Sequence, residues 1–304
     1  MDMTKNKCCR HGTNLRRRRR RRRKIRHSVI FLCSSIAVIV FVAVESRMIR
    51  SGDGRTNKND VEAGNTYDNA VIENTKIFEN NKIQNNKIQN NQSMLDDIMN
   101  STQYPKQLKD LALKNEEALE FVYDYPAEHV KEHTIDLTKE ASMDSVPLFV
   151  QWDKRWGYEK YSGNFFAASG CGPTTLSMVV VYLTHNREAS PIAVAKYSKE
   201  AGYSVDGSGS SWTLISEGCR HYGVKAKTVA LDESRMKAEL DEGHPIVVNV
   251  GPGDFTDTGH FMVITGYDDE GFSINDPNSI EKSGKRWLFR NISSQIRAVW
   301  SMYV

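Results

Sequence analysis

SGCGPTTLSMVVVYL, from Ser169 to Leu183, is the most informative segment of this 304-residue chain. The two glycines beside Cys171 give the backbone freedom for a sharp turn, and Pro173 is tolerated only in the first turn of a helix. The apolar residues that follow predict a buried helix, which we expect to begin at Cys171. The unpaired N–H groups and the dipole of a helix N-terminus favour thiolate over thiol, so Cys171 is a candidate nucleophile. The alternative is an inert, buried cysteine.

A nucleophilic cysteine needs a base, and His260 is the best placed of the eight histidines. It follows Thr258 and Gly259 and begins an apolar strand, Phe261–Thr265. We therefore expect its imidazole to project from the end of a sheet into a cleft. His244, by contrast, lies in a turn before a second predicted strand, and the remaining histidines have charged or polar neighbours without a strand pattern.

A third group should orient the imidazole, and two adjacent residues are candidates. The turn Asp268–Gly271 predicts a hairpin that returns the segment Phe272–Pro277 alongside the strand of His260. Side chains alternate along a strand, so only one of Asn275 and Asp276 can face His260. The simplest register leaves Asp276 offset by about three residues. If Asp276 fills the role, we expect it to accept the Nδ1–H of His260 and leave Nε2 facing the thiol.

Three short blocks of this sequence resemble a known peptidase family. They are GCGPT at Gly170–Thr174, GHF at Gly259–Phe261 and NDPNS at Asn275–Ser279. They occur in the same order in the stand-alone, C39-like form of the double-glycine-leader peptidase family C39. The similarity continues through QWDKRW at Gln151–Trp156 and covers roughly residues 101–304.

This resemblance implies an α+β, papain-like fold, in which the helix bearing the cysteine packs on an antiparallel sheet bearing His and Asp. It implies a cysteine peptidase acting on a peptide or protein substrate, with Cys171 as nucleophile, His260 as base and Asp276 as orienting residue, and no cofactor or metal. One position departs from the pattern. Relatives that act on bacteriocin leaders carry a Gln six residues before the cysteine to help form the oxyanion hole, and here that position is Phe165. Gln151 is the nearest candidate.

The charge of the chain is concentrated at one end. Residues 1–27 carry thirteen Lys and Arg and one Asp, a net charge of +12, so the other 277 residues carry −9 of the total +3. The eight arginines Arg16–Arg23 precede Ser28–Val44, seventeen uncharged residues that would span about 25 Å as a helix. We expect a single transmembrane helix at 28–44, an uncleaved signal anchor with a cytoplasmic N-terminus and the remaining chain outside. The apolar neighbour favours a membrane over nucleic acid as the partner of the arginines.

Residues 45–100 have the composition of a linker. Asn is frequent, and the pentapeptide NKIQN at Asn81–Asn85 repeats at Asn86–Asn90. A period of five fits neither a helix nor a strand, so we predict a disordered tether without a packed core. The peptidase domain is expected at 101–304, with a helical lead-in over 101–145. Within the lead-in, the segment from Tyr104-Pro105 to Tyr125-Pro126 is expected to form one bent helix or two short ones.

Two further patterns compete for a functional interpretation. HVKEH at His129–His133 matches a zinc-peptidase motif, which would place both histidines on one helix face. An aromatic cluster surrounds Trp152 and Trp156, and it indicates either core packing or a groove for an extended substrate.

Other activities remain open from the sequence. Cys171 and Cys219 could form a disulfide if both lie outside the cytoplasm, which would block the nucleophile. Five cysteines in the whole chain nevertheless exclude a small disulfide-stapled fold. The same fold could also act as a tethered peptide-binding module, or transfer the acyl group to an amine instead of water.

Overall fold

The computed structural model describes residues 60–304. Its strands are β1 (Lys160–Tyr161), β2 (Asn164–Phe165), β3 (Ser204–Val205), β4 (Gly209–Ser210), β5 (Lys225–Thr228), β6 (Ile246–Val250), β7 (His260–Asp268), β8 (Gly271–Asn275), β9 (Arg286–Trp287) and β10 (Ile296–Tyr303). Its helices are Asp60–Asn100, Lys106–Lys114, Leu119–Tyr123, Tyr125–Glu128, Thr138–Ala141, Phe166–Ser169, Cys171–Thr184, Pro191–Glu200, Thr213–Ser216, Glu233–Asp241, Ile280–Ser283 and Phe289–Ile292, with 3-10 turns at Glu116–Ala118, Gly218–Tyr222 and Ser293–Gln295.

Six strands form one sheet in the order β5-β10-β6-β7-β8-β9. Every neighbouring pair is antiparallel. The predicted α+β class and antiparallel sheet are therefore confirmed. The apolar strand before Gly251 is β6, which is buried at each of its positions because the sheet is covered on both faces.

One face of the sheet packs against the helix Cys171–Thr184. This helix is buried at each position from Gly172 to Val181, so it lies inside the domain rather than on its surface. Val263 of β7 and Trp300 of β10 belong to the same apolar cluster as the helix. Fully burying one Val, Leu or Met side chain is worth about 1.5–3 kcal/mol, so this packing fixes the helix firmly on the sheet.

The opposite face of the sheet is covered by the helix Glu233–Asp241, through Met236. Alternating residues of the strands supply the two cores. Within β7, Phe261 and Val263 join the core of the Cys171 helix, whereas Met262 and Ile264 join the other.

The lead-in is helical, as predicted, and it consists of short helices. Asn115 ends the helix Lys106–Lys114, and its side chain accepts a hydrogen bond from the N–H of Glu117 at the start of the next turn. A third apolar cluster joins the lead-in helices to Phe165 and Ala167, immediately before the Cys171 helix.

The predicted disordered tether is wrong for residues 60–100, where the structure has a helix, Asp60–Asn100. Ile83 and Ile88 of the repeat are exposed, as the period of five requires. Lys, Gln and Glu favour a helix by their intrinsic propensity, even in a segment that has no apolar face. A prediction based only on the spacing of apolar residues does not detect this propensity. Ile98 is fully buried in the third cluster, so the packed domain begins before residue 101.

Residues 1–59, including the basic head and the predicted span at 28–44, lie outside the described residues. From residue 60 onward, no helix combines the length and the apolar character needed to cross a membrane.

Candidate active site

Cys171 is the first residue of its helix, as predicted, and its side chain is half-buried. The flanking glycines are required by close packing. A Cβ at Gly172 would lie 2.5 Å from Oγ of Ser210, and one at Gly170 would lie 2.6 Å from the ring of Phe166. The two glycines are therefore needed because Phe166 and Ser210 pack directly against the backbone on either side of Cys171.

A hydrogen bond between helix and sheet brings the thiol and the imidazole together. Thr175, one turn after Cys171, donates its hydroxyl to the carbonyl oxygen of Phe261 over 3.1 Å. Phe261 follows His260, the first residue of β7, so the helix is tied to the sheet beside the histidine. The His260 imidazole lies close enough to the Cys171 thiol to lower its pKa.

Asp276 contacts the other side of the imidazole. His260 Nε2 donates to Oδ1 of Asp276 over 2.6 Å, with His260 buried and Asp276 fully enclosed. The N–H of Asn278 donates to the same oxygen over 2.8 Å and holds the carboxylate in place.

The predicted choice of ring nitrogen is wrong. The carboxylate meets Nε2, which leaves Nδ1 for the thiol. Asp276 lies beyond the end of β8 and is displaced along the sheet from His260, so it meets the ring nitrogen farther from the histidine backbone.

A β-bulge in β7 determines which residue of the Asn275–Asp276 pair reaches the histidine. The hairpin pairs Gly266 with Ser273 but Ile264 with Ile274, so Thr265 is an extra residue. A regular hairpin would place Asn275 opposite Ile264. Ile264 and His260 are four residues apart in β7, so their side chains lie on the same face of the sheet, and Asn275 would share that face. A one-residue shift of register moves every side chain to the other face.

Asn275 consequently points away from the imidazole. It lies opposite Val263, and its Nδ2 donates to the carbonyl oxygens of Val146 and Pro147 at 3.0 and 3.1 Å. The structure thus brings Asp276 to His260 and uses Asn275 to hold the segment that leads toward Gln151.

Gln151 is buried between the Cys171 region and the loop after Asp276. Its Nε2 donates to the carbonyl oxygen of Ala167 over 2.7 Å, and its backbone N–H donates to that of Pro277 over 2.7 Å. Its Oε1 has no hydrogen-bond partner within the described residues. Phe165 belongs to the third apolar cluster and cannot supply an amide.

A second lead-in contact stabilises the loop after Asp276. Glu117 accepts hydrogen bonds from the hydroxyl of Ser279 and from the N–H groups of Ile280 and Glu281. Asn115 donates to the carbonyl oxygen of Asn278 over 2.9 Å. The sequence carried no signal for these contacts, which join residues more than 160 positions apart.

An open cleft of about 710 Å³ lies over Cys171. Its walls are mostly small residues from six segments, and most of them were not predicted. They are Ser162, Gly163, Asn164, Ala168, Ser169, Cys171, Gly207, Ser208, Gly209, Ser210, Trp212, Asn249, Val250, Gly251, Pro252, Thr258, Gly259, Phe261 and Arg297.

The exposed aromatic residue of the cleft wall is Trp212, whereas Phe261 is buried. One of the two interpretations of the aromatic cluster, a substrate groove lined by Trp152 or Trp156, is wrong. Trp156 is buried and donates to the carbonyl oxygen of Val150, whereas Trp152 donates to that of Asn278. Both tryptophans hold loops in place.

Comparison with known proteins identifies the chain. Residues 143–304 match the Peptidase_C39 like family over more than half of the sequence. The chain belongs to this family. It is a C39-like cysteine peptidase, as its sequence blocks indicated.

Two solved structures are similar to this C39-like peptidase. One is the peptidase domain of Streptococcus ComA, a bi-functional ABC transporter involved in a quorum-sensing pathway, at 19% identity and a TM-score of 0.39 over 52% of this chain and 96% of that one. The other, from Bacillus anthracis, is described as a C39-like peptidase and has 17% identity and a TM-score of 0.33 over 52% of this chain and 95% of that one. No curated protein matches the chain.

The electrostatics of the C39-like peptidase favour a thiolate beside an imidazolium. Burial acts to raise the pKa of the Cys171 thiol, but the hydrogen bond and charge of His260, with the N–H groups of Phe261 and Gly172, outweigh burial and lower that pKa. Burial acts to lower the pKa of His260, yet Asp276 and the thiol outweigh it and raise the pKa to about 10. The two shifts have one cause, because each charged group stabilises the other.

Cys219 has the opposite environment. It is fully buried, and burial raises the pKa of its thiol to about 11, which suits an inert core residue. Cys171 and Cys219 are both free thiols, so the disulfide considered from the sequence is not formed.

The zinc-peptidase motif does not form a metal site in the C39-like peptidase. The short helix at this point ends at Glu128, so the two histidines do not share a helix face. His129 Nδ1 lies 2.6 Å from the carbonyl oxygen of Tyr125, and His133 Nε2 lies 3.2 Å from that of Glu128. Across residues 60–304, no cluster of three or more metal-ligating side chains is present.

Proposed function

We propose that this C39-like peptidase hydrolyses peptide bonds with Cys171 as nucleophile, His260 as general base and acid, and Asp276 as the residue that orients the imidazole. The observation that carries the proposal is the hydrogen bond between the His260 imidazole and an enclosed carboxylate, beside a half-buried thiol whose pKa the imidazole lowers. An open cleft gives an extended peptide access to the sulfur.

The chemistry follows from the charge state of the pair. The Cys171 thiolate attacks the scissile carbonyl carbon and forms a tetrahedral oxyanion. The His260 imidazolium then gives its Nδ1 proton to the departing amine, and the C–N bond breaks to leave a thioester on Cys171. Neutral His260 next takes a proton from water, whose hydroxyl attacks the thioester. The acid product departs, and the thiolate and imidazolium are restored.

Two donors are proposed for the oxyanion. The backbone N–H of Cys171 lies in the first turn of its helix, where N–H groups have no intrahelical acceptor. The Nε2 of Gln151 carries a second hydrogen besides the one donated to Ala167. Its link to Pro277 places the amide between the segment before Cys171 and the loop after Asp276, which supports this assignment.

The proposed activity can be tested with the purified full chain. A thiol-directed electrophile is expected to label Cys171 before Cys219, because Cys171 is half-buried with a lowered thiol pKa and Cys219 is enclosed with a raised one. A peptide library should yield fragments that carry new termini, and prior labelling should stop their formation. Full hydrolysis after complete labelling of Cys171 would contradict the proposal.

The pH dependence of kcat/KM is expected to be bell-shaped. Activity should rise as Cys171 ionises, at a pH below the ordinary thiol range because its pKa is lowered. Activity should fall as His260 loses its proton near pH 10, because neutral imidazole cannot protonate the leaving amine. In Asp276→Asn the alkaline limb should move to lower pH, since the carboxylate is the larger of the two contributions that raise the pKa of His260. An unchanged alkaline limb in that variant would contradict the proposed pairing.

The peptidase is further proposed to be tethered to the cell membrane and to act outside the cytoplasm. The support is the run Arg16–Arg23 followed by the uncharged segment Ser28–Val44. Protease added to intact cells should degrade the domain 101–304 and spare an epitope placed before Arg16. Survival of the domain, while a known external marker is digested, would reverse the proposed orientation.

A further inference from the structure

Arg297 occupies an irregular position in β10, directly beside the cleft. The pairing of β10 with β6 runs from Ile296 opposite Val250 to Ala298 opposite Asn249, so Arg297 is the extra residue of a β-bulge. Bulges next to active sites redirect a side chain out of the regular alternation. Here the redirected side chain is exposed and forms part of the cleft wall.

The guanidinium lies directly against the backbone of Gly251. A Cβ at Gly251 would lie 2.8 Å from Nε of Arg297 and 3.1 Å from its Nη2. Nη1 donates to the carbonyl oxygen of Ser294 over 2.9 Å. The bulge, the glycine and this hydrogen bond together hold the planar group at the cleft and leave Nε and Nη2 with N–H groups to donate.

The charge of Arg297 is not neutralised by a neighbour. Arg155 pairs with Asp153 and Glu140, and Arg286 pairs with Asp268. Arg297 has no carboxylate partner within residues 60–304, and apart from the Cys171 thiolate it is the one charged residue among those that line the cleft there. Asp254, three residues after Gly251, accepts a hydrogen bond from Gln295.

We propose that Arg297 is a specificity-determining residue that binds a carboxylate of the substrate. This inference rests on the proposed peptidase function. A guanidinium with free, coplanar N–H groups matches a carboxylate with two parallel hydrogen bonds. The carboxylate is either a Glu or Asp side chain near the scissile bond or the free C-terminus of the peptide. Apart from the Cys171 thiolate the remaining wall residues are uncharged, so the positive charge of Arg297 distinguishes acidic substrates from neutral ones.

The test compares matched peptides with the full chain. Starting from any cleaved peptide, Glu and Gln are exchanged at each position around the scissile bond, and the free C-terminus is exchanged for an amide. We expect kcat/KM to favour one Glu position, or the free C-terminus, by about tenfold, the size of a charge-assisted hydrogen bond at a partly exposed site. The position of the preference identifies the source of the carboxylate.

Two variants and a control complete the experiment. Arg297→Gln should abolish the preference, and Arg297→Glu should replace it with a preference for Lys at the same position. Arg290→Gln, which removes an exposed arginine outside the cleft wall, should keep the wild-type preference. Equal hydrolysis of every matched pair by the wild type, or an unchanged preference in Arg297→Gln, would overturn the inference.

Binding separates this inference from the proposed function. In a Cys171→Ala background, the acidic peptide should bind about tenfold more tightly than its neutral counterpart, and the added Arg297→Gln change should remove the difference. If that difference is present while the wild type cleaves no peptide, the proposed function fails and the carboxylate site stands. If peptides are cleaved and bound without any difference, the carboxylate site fails and the peptidase stands.

Discussion

Replacing Cys171 by alanine is expected to abolish peptide hydrolysis, with a loss in kcat on the order of 10⁴-fold or more. The variant removes the only atom that can form the thioester, and the other members of the site cannot substitute for it. The sulfur is half-buried at the edge of the cleft, so its removal leaves little enclosed cavity. Steady-state kinetics, with thermal unfolding monitored by circular dichroism, measures both effects.

Cys219→Ala is the matched control for this variant. Cys219 lies in the core behind the Cys171 helix, so its truncation should lower stability by about 1–2 kcal/mol and leave kcat nearly unchanged. A folded Cys171→Ala protein that retained near-normal hydrolysis would exclude the thiol mechanism. A loss of activity in Cys219→Ala equal to that in Cys171→Ala, with both proteins folded, would contradict the assignment of Cys219 as an inert core residue.

Asp276→Ala is expected to lower kcat by on the order of 10²-fold. This loss is scaled down from that of serine enzymes because a thiolate depends less on its base. The carboxylate accepts the Nε2–H of His260, and without it Nδ1 is no longer held toward the thiol in a fixed tautomer. The imidazolium also loses the charge that stabilises it.

Asn275→Ala provides the comparison, because it changes the adjacent residue on the opposite face. Its loss leaves the carbonyl oxygens of Val146 and Pro147 without their donor, so stability should fall by about 1–3 kcal/mol while kcat changes less than in Asp276→Ala. Kinetics and urea unfolding of the two purified variants separate the effects. A larger loss of kcat in Asn275→Ala would transfer the orienting role to Asn275.

The parts of the site that local patterns encode could be predicted from the sequence. Pro173 and the apolar residues after it marked a helix beginning at Cys171, and the apolar run after Gly259 marked a strand beginning at His260. A turn over Asp268–Gly271 then implied the hairpin. Each signal lies within a few residues of the element it predicts, and tertiary contacts did not override any of them.

The choice between Asn275 and Asp276 could not be made from local patterns, because it depends on the bulge at Thr265, and only the family resemblance implied Asp276. A threonine within an apolar strand carries no bulge signature, and regular pairing is the default expectation. The ring nitrogen used by Asp276 depends on the same offset. The turn residues of a hairpin thus do not specify its register beyond a bulge in one of the strands.

Contacts across the whole length of the domain were also beyond local patterns. Glu117 lies before the first residue of the family match, yet its carboxylate binds the loop that follows Asp276. A glutamate in a charged helical segment resembles any solvated surface residue until the fold brings a loop against it. The bulged position of Arg297 and the packing of Gly251 against it depend likewise on the pairing of distant strands.

The extra residue in β7 limits which insertions and deletions this strand can accept during evolution. Asn275 and Asp276 are adjacent, and Thr265 determines which of them the histidine meets, so a charged and a neutral partner are separated by the gain or loss of one codon in a neighbouring strand. Strand length and the identity of the two residues after Ile274 must therefore be inherited together. A lineage that lost the codon for Thr265 would keep a carboxylate beside its histidine only if Asn and Asp had exchanged places.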